Sequence, residues 1–92
     1  MEIIRELAKK AHRASNVSKT GEPISVHHLT FDEFFGWYSV TVELEDSRGN
    51  PLRTKVLFKE KEEHYDVLAG GFVVLQAPKT EDIIREFETV NN

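Results

Sequence analysis

Apolar and polar residues alternate strictly along two neighbouring segments between positions 37 and 58. Every second residue of these segments is apolar or β-branched: Tyr38, Val40, Val42 and Leu44, then Leu52, Thr54, Val56 and Phe58. A period of two is typical of strands that bury one face. The intervening sequence DSRGNP favours a turn, because Gly49 tolerates positive φ and Pro51 disfavours a helical Asn50. The pattern therefore predicts a β-hairpin.

Charged residues on the other face of this hairpin predict its register. Glu43 and Glu45 lie on the first strand, and Arg53 and Lys55 lie on the second. Aligning the two apolar sets brings these opposite charges across from each other, which adds about 0.2–1 kcal/mol per pair. A slip of one residue would bury all four charges. We interpret the four as a solvated face rather than a functional site.

Two segments show the helical spacing of apolar residues. The first, Ile3, Ile4, Leu7, Ala8 and Ala11, predicts a helix from about Glu2 to Ala14. The second follows Thr80, a favourable N-cap, and the first-turn acids Glu81 and Asp82. Its apolar residues are Ile83, Ile84, Phe87 and Val90. We expect both helices to pack on the sheet.

The remaining segments predict three more strands and a short helical turn. Ile24–Leu29 alternates as a strand, and Thr30 and Glu33 have the spacing of a capping box for a turn over Phe31–Phe35. Residues 64–76 predict a second hairpin around a Gly70-Gly71 turn. With that turn Ala69 faces Phe72, Val67 faces Val74 and Tyr65 faces Gln76. Leu68, Val73 and Leu75 then lie on the other side, so both faces are apolar near the turn.

These elements together predict one α+β domain over residues 1–92. It consists of an antiparallel sheet of four to five strands flanked by an N-terminal and a C-terminal helix. The predicted order is α-β-(short α)-β-β-β-β-α. The alternation alone does not say which strands form the edges of the sheet.

Composition excludes several classes of function. The chain has no cysteine, so it forms no disulfide or thiolate metal site, and this suits a cytoplasmic location. Its net charge of −4 disfavours nucleic acids and anionic membranes as partners. No apolar run has the length of a membrane span. We expect no membrane association.

Catalytic motifs are also missing from the sequence. It contains no phosphate-binding glycine loop, no GxSxG elbow, no HExxH helix and no calcium loop. We therefore expect a non-enzyme without a cofactor or a metal site. A weaker alternative is a small-molecule or enzyme site near His27, His64 and Asp66. His27 and His28 are adjacent strand residues on opposite faces, so they are poorly placed to share a metal.

The densest aromatic cluster indicates a binding surface. Five of eight residues are aromatic: Phe31, Phe34, Phe35, Trp37 and Tyr38. One small turn does not easily hide so many rings, and exposed aromatics often anchor interfaces. The predicted site is Phe34, Phe35, Trp37, Asp32 and Glu33. The acids would complement a basic protein surface. The leading hypothesis is a subunit, adaptor or inhibitor that binds another protein, or a second copy through an open sheet edge.

A nucleic-acid-binding domain is the alternative hypothesis. It would use helix one and the Arg48–Lys61 block, and it requires the two basic segments to share one surface. The helix–sheet–helix order resembles the layout of double-stranded RNA-binding domains. In that family lysines at the start of the last helix clamp phosphates. Here the corresponding stretch is Lys79-Thr80-Glu81-Asp82, whose two acids would repel phosphate.

Overall fold

The structure, a computed structural model, describes residues 2–15, 25–32, 34–45 and 48–91. Side chains of residues 25–29, 90 and 91 are outside this description. The described residues form two helices and five strands: α1 (Glu2–Ser15), β1 (Ser25–Asp32), β2 (Trp37–Glu45), β3 (Pro51–Glu60), β4 (His64–Ala69), β5 (Phe72–Pro78) and α2 (Glu81–Asn91). The strands form one antiparallel sheet in the order β1-β2-β3-β4-β5. The predicted α+β fold is confirmed.

The β2–β3 hairpin has the predicted register. Val40 pairs with Val56 and Tyr38 pairs with Phe58, so the two apolar sets lie opposite each other. Glu43 pairs with Arg53, and the Arg53 Nε lies 3.8 Å from a Glu43 carboxylate oxygen. Gly49 adopts a φ of +80° in the turn, a conformation that other residues rarely accept.

Both helices pack on the same face of the sheet. The face includes Val40, Val56, Phe58 and Val67, all fully buried, and we call it the covered face. Helix α1 contributes the buried residues Ile4, Ala8 and Ala11 to the core, and α2 contributes Ile83 and Phe87. The predicted N-cap of α2 is present, since the Thr80 hydroxyl accepts from the backbone N–H of Ile83 at 3.4 Å.

A side chain of α2 caps the N-terminus of α1. The Glu86 carboxylate accepts hydrogen bonds from the backbone N–H groups of Ile3 (2.9 Å) and Ile4 (3.0 Å). The first N–H groups of a helix lack partners within the helix, and the N-terminal end of its dipole favours negative charge. Glu86 therefore fixes the two helices relative to each other across 83 residues of sequence separation.

Two local predictions are corrected by the structure. The β4–β5 hairpin begins as predicted, with Ala69 opposite Phe72, but Val67 pairs with Leu75 and Leu68 pairs with Val73. A bulge at Val74 causes this shift and turns Leu75 toward the core. Tyr65 consequently pairs with Ala77, not with Gln76.

The β1–β2 connection is the second correction. Strand β1 continues to Asp32, beyond the predicted end at Leu29, and residues 34–36 form a turn instead of a short helix. The β2–β3 hairpin lies inside the sheet, so β1 and β5 are its edges. Neither described helix has the length and apolar character needed to cross a membrane.

Candidate binding site

Asp32 shapes the turn that presents the aromatic residues. Its side-chain Oδ1 accepts hydrogen bonds from the backbone N–H groups of Phe34 (2.9 Å) and Phe35 (3.1 Å). The Gly36 N–H donates to the Asp32 carbonyl oxygen at 2.8 Å, and Gly36 has a φ of +72°. These bonds satisfy the backbone within the turn itself, as aspartate commonly does in turns. The side chains of Phe34 and Phe35 are thereby left to project outward.

The three predicted aromatic site residues form a continuous, solvent-accessible group. Phe34 is 87% exposed and Phe35 is 56% exposed, whereas Trp37 is half-buried. The rings of Phe35 and Trp37 stack at 4.7 Å between centroids, with 17° between their planes. Phe34 meets Phe35 edge to face at 4.9 Å. Tyr38 is different, because it points to the covered face and contacts Phe87 there.

A groove of about 450 Å³ lies beside this aromatic group, on the sheet face opposite the helices. We call this face the open face and the depression the open-face groove. Its lining includes Phe35, Trp37, Lys55, Leu57, Leu68 and the Gly70-Gly71 turn. The volume is within the range of about 300–1,000 Å³ typical of ligand sites.

The apolar floor of the groove belongs to one row of paired residues across four strands. Ser39 pairs with Leu57, Leu57 with Leu68, and Leu68 with Val73. Val73 is 50% exposed at the edge strand. Since both described helices pack on the opposite face, no described element covers this row. The apolar floor is therefore accessible to another molecule.

Lys55 provides the cationic group of the groove. Within the described part of the chain, its ammonium forms no ion pair, in contrast to its strand neighbour Arg53, which has Glu43 as a partner. Asp32 also lines the groove, but one of its carboxylate oxygens accepts the two turn hydrogen bonds. The groove thus combines stacked aromatics, an apolar floor and one available positive charge.

Sequence reasoning missed Lys55, Leu57 and Leu68 as site residues. A signal for Leu57 was present in the sequence. Leu57 is an apolar residue at a position of β3 where the alternation calls for a polar one, between the apolar residues Val56 and Phe58. Recognising it as a groove floor required the pairing of Leu57 with Leu68 on β4. Of the predicted site residues, Glu33 lies outside the described residues.

The residues of the alternative histidine site do not converge. His27 lies on β1 and His64 lies on β4, three strand spacings apart, or roughly 14 Å across the sheet. The side chain of His27 is outside the described part, as is that of His28. His64 does contact Asp66, with 2.9 Å between Nε2 and Oδ1, and the Gln76 amide donates to the same oxygen at 3.2 Å. No cluster of three or more metal-ligating side chains occurs among the described residues.

The two basic segments do not share one surface. Helix α1 lies over the covered face, whereas Lys55 lines the groove on the open face. Arg53 and Lys59 are an even number of positions from Lys55 on β3, so they lie on the same face as Lys55. The sheet separates Lys9 and Lys10 from this group. The arrangement required by the nucleic-acid alternative is therefore absent from the described part of the molecule.

A larger depression of about 800 Å³ lies between the two helices. Ile3 and Leu7 line it together with charged residues of both signs, whose aliphatic stems add to its apolar surface. The smaller open-face groove is the candidate site, because two of the predicted aromatic residues, Phe35 and Trp37, line it.

Comparisons of this chain with protein-family models, with curated proteins and with solved structures gave no significant match.

Proposed function

We propose that the protein is a non-catalytic binding module that contacts another protein through Phe34, Phe35, Trp37 and the open-face groove. It would act as a subunit, adaptor or inhibitor. The observation that supports this most directly is the exposure of Phe34, held outward by the Asp32 turn beside the stacked Phe35 and Trp37.

A partner that covers these rings would gain free energy by removing them from water. Fully burying one phenylalanine side chain stabilises a complex by about 1.5–3 kcal/mol. Aromatic residues grouped at the centre of an interface often dominate its affinity. The hydrogen bonds of Asp32 hold the turn in one conformation, so less conformational entropy is lost when a partner binds. A preformed aromatic group therefore suits protein recognition.

A second copy of the chain is the other candidate partner. The sheet exposes β1 and β5 as edges, and Phe72 on β5 is 72% exposed. Unpaired backbone groups at such an edge can pair with an identical strand. The proposed function involves no cofactor. A cytoplasmic location is part of the proposal, on the grounds of the cysteine-free sequence.

Photo-crosslinking tests the proposed surface directly. We would replace Phe34 with p-benzoylphenylalanine, irradiate the protein in native lysate and identify adducts by mass spectrometry. We expect one dominant protein adduct that weakens when Trp37→Ala is added. The matched control carries the same photoreactive group at Glu88, an exposed residue on α2.

The same experiment can reject the proposal. Identical adducts from positions 34 and 88, or no discrete adduct from position 34, would mean that the aromatic turn is not an interface. A crosslink between two copies of the chain would instead identify the partner as the protein itself.

A further inference from the structure

We propose that the open-face groove binds an acidic, apolar peptide segment of the partner protein. An apolar side chain of that segment would lie on Leu57 and Leu68, and a neighbouring carboxylate would pair with Lys55. This inference rests on the proposed function, because it specifies the chemistry of the partner at the same site.

The lining of the groove offers aromatic and aliphatic surface to an apolar side chain of the segment. The stacked rings of Phe35 and Trp37 form one wall, and the floor is the apolar part of the Ser39–Leu57–Leu68–Val73 row. The opposite wall is the Gly70-Gly71 turn, and the space beside Gly71 is open where a Cβ would be. A flat side chain can therefore approach the backbone there and contact aromatic and aliphatic surfaces together.

The charges of the groove favour an anionic neighbour over a cationic one. Arg53 already has Glu43 at 3.8 Å, whereas the described residues offer Lys55 no such partner. Asp32, the acidic group of the lining, is engaged by two backbone N–H groups. A carboxylate reaching Lys55 would form an ion pair without displacing an existing one.

This preference reverses the sign expected from the sequence. Asp32 and Glu33 suggested a basic partner, and the net charge of −4 also favours one at long range. At physiological salt, however, interactions between exposed charges are largely screened beyond about 8 Å. Lys55, which lines the groove, then has more influence on the bound segment than the acids outside it. Asp32 does line the groove, but its Oδ1 already accepts two backbone hydrogen bonds.

A random peptide library displayed on phage tests this chemistry, because it samples many apolar and charged combinations at once. We would select it against the wild-type protein, Lys55→Glu, Trp37→Ala and the control Lys61→Glu, whose site is exposed and outside the groove. We expect wild type and Lys61→Glu to enrich an apolar residue next to Asp or Glu. Lys55→Glu should enrich Lys or Arg at that place, and Trp37→Ala should lose the motif.

Tryptophan fluorescence then gives the affinities, because Trp37 is the only tryptophan of the chain. A selected peptide, synthesised without tryptophan, should change the emission of Trp37 in a saturable way. We expect Lys55→Glu to bind it at least tenfold more weakly, a difference of about 1.4 kcal/mol, with Lys61→Glu unchanged. Circular dichroism of each variant verifies that the fold is retained, and Lys55→Gln serves as a second, milder variant.

Several outcomes would overturn the inference. They are the absence of an enriched motif, a motif that survives Trp37→Ala, and a motif whose charge does not respond to residue 55. Tighter binding of dodecanoate than of any peptide would indicate a free amphiphile, and Trp37-dependent dimerisation in sedimentation would indicate a second copy. If any of these outcomes is observed while Phe34 still crosslinks to a distinct protein, the proposed function stands. Only the chemistry assigned to its partner then fails.

Discussion

The two faces of the sheet are formed by the same strands, but the helices cover only one of them. On the covered face, the ring of Phe87 on α2 packs against the rings of Tyr38, Phe58 and Tyr65. The distances between ring centroids are 4.2, 5.5 and 4.7 Å, respectively. On the open face, Leu57 and Leu68 form an apolar row that no described element covers. The covered face stabilises the fold, whereas the apolar part of the open face remains accessible among the described residues.

In this small domain the proposed binding surface is separate from the surface that stabilises the fold. Adjacent strand residues point to opposite sides, so Val56 is fully buried while the neighbouring Leu57 is only partly buried. A substitution on one face therefore need not disturb the other. Stability and binding can be measured as two nearly independent properties.

Replacing phenylalanine by alanine in the core and in the exposed aromatic turn should give the largest contrast. Phe87 is 2% exposed, and Phe87→Ala should lower the free energy of unfolding by about 3–5 kcal/mol through lost burial and a cavity. Phe34→Ala removes the same atoms from an exposed turn and should change it by no more than about 0.5 kcal/mol. Urea denaturation of the three proteins measures both values.

Binding provides the reverse contrast for the same pair. Phe34→Ala should abolish capture of the partner, while any folded fraction of Phe87→Ala retains it. Equal destabilisation by the two substitutions would contradict the assignment of Phe87 to the core and of Phe34 to an exposed turn.

The buried residue Tyr65 on the covered face should make the protein less stable at high pH. Its burial, aided by the negative charge of Glu60, raises the pKa of the phenol to about 12 from the ordinary 10.0. Above pH 10 the unfolded chain ionises this group while the folded protein keeps it neutral. The stability contributed by Tyr65 is therefore complete below pH 10 and disappears as pH rises toward 12, by up to about 3 kcal/mol.

The measurement is urea denaturation between pH 8 and 12, with the Tyr65→Phe variant as control. The variant should lose less stability over this interval than the wild type, because it has no proton to release at that position. Absorbance at 295 nm, which reports tyrosine ionisation, should rise near pH 12 in the folded wild type. The variant should lack this rise. Parallel curves for the two proteins would show that Tyr65 does not titrate in this way.

Removing the tertiary cap of α1 should have a smaller effect. Glu86→Ala leaves the Ile3 and Ile4 N–H groups without their carboxylate and should lower the free energy of unfolding by about 1–2 kcal/mol. Because Glu86 lies away from the open face, peptide or partner binding should not change. Thermal melts combined with the fluorescence titration measure the two properties.

Glu88→Ala is the matched control, since Glu88 is exposed two positions later on the same helix. It should change the free energy of unfolding by no more than about 0.5 kcal/mol. A similar loss in both variants would assign the effect to the overall charge of α2 rather than to the cap.

Much of the fold was predictable because its signals are local. The alternation of Val40 and Val42 opposite Thr54 and Val56, together with the charges of Glu43 and Arg53, predicted the central register correctly. The bulge at Val74 was not predicted, since the continuous apolar run Phe72–Leu75 fits either alignment of β5 with β4. For the same reason Leu75 was placed on the wrong face.

The candidate site was predictable only in part. Phe34, Phe35 and Trp37 were identified from their density in the sequence, and the structure places them at the surface. The acidic residue Asp32 proved to form a turn, because its carboxylate lies within reach of two following N–H groups. Lys55 and Leu68 joined the site only once the structure showed that β4 pairs with β3 and that both helices pack on the other face of the sheet.

Periodicity and turn residues determined which segments of this protein are helices and strands, because those signals depend on neighbours a few positions apart. The tertiary structure decided which face the two helices cover, that Glu86 caps α1, and that Lys55, Leu57 and Leu68 meet beside Trp37. These outcomes depend on packing between residues far apart in the chain, for which the local pattern contains no information.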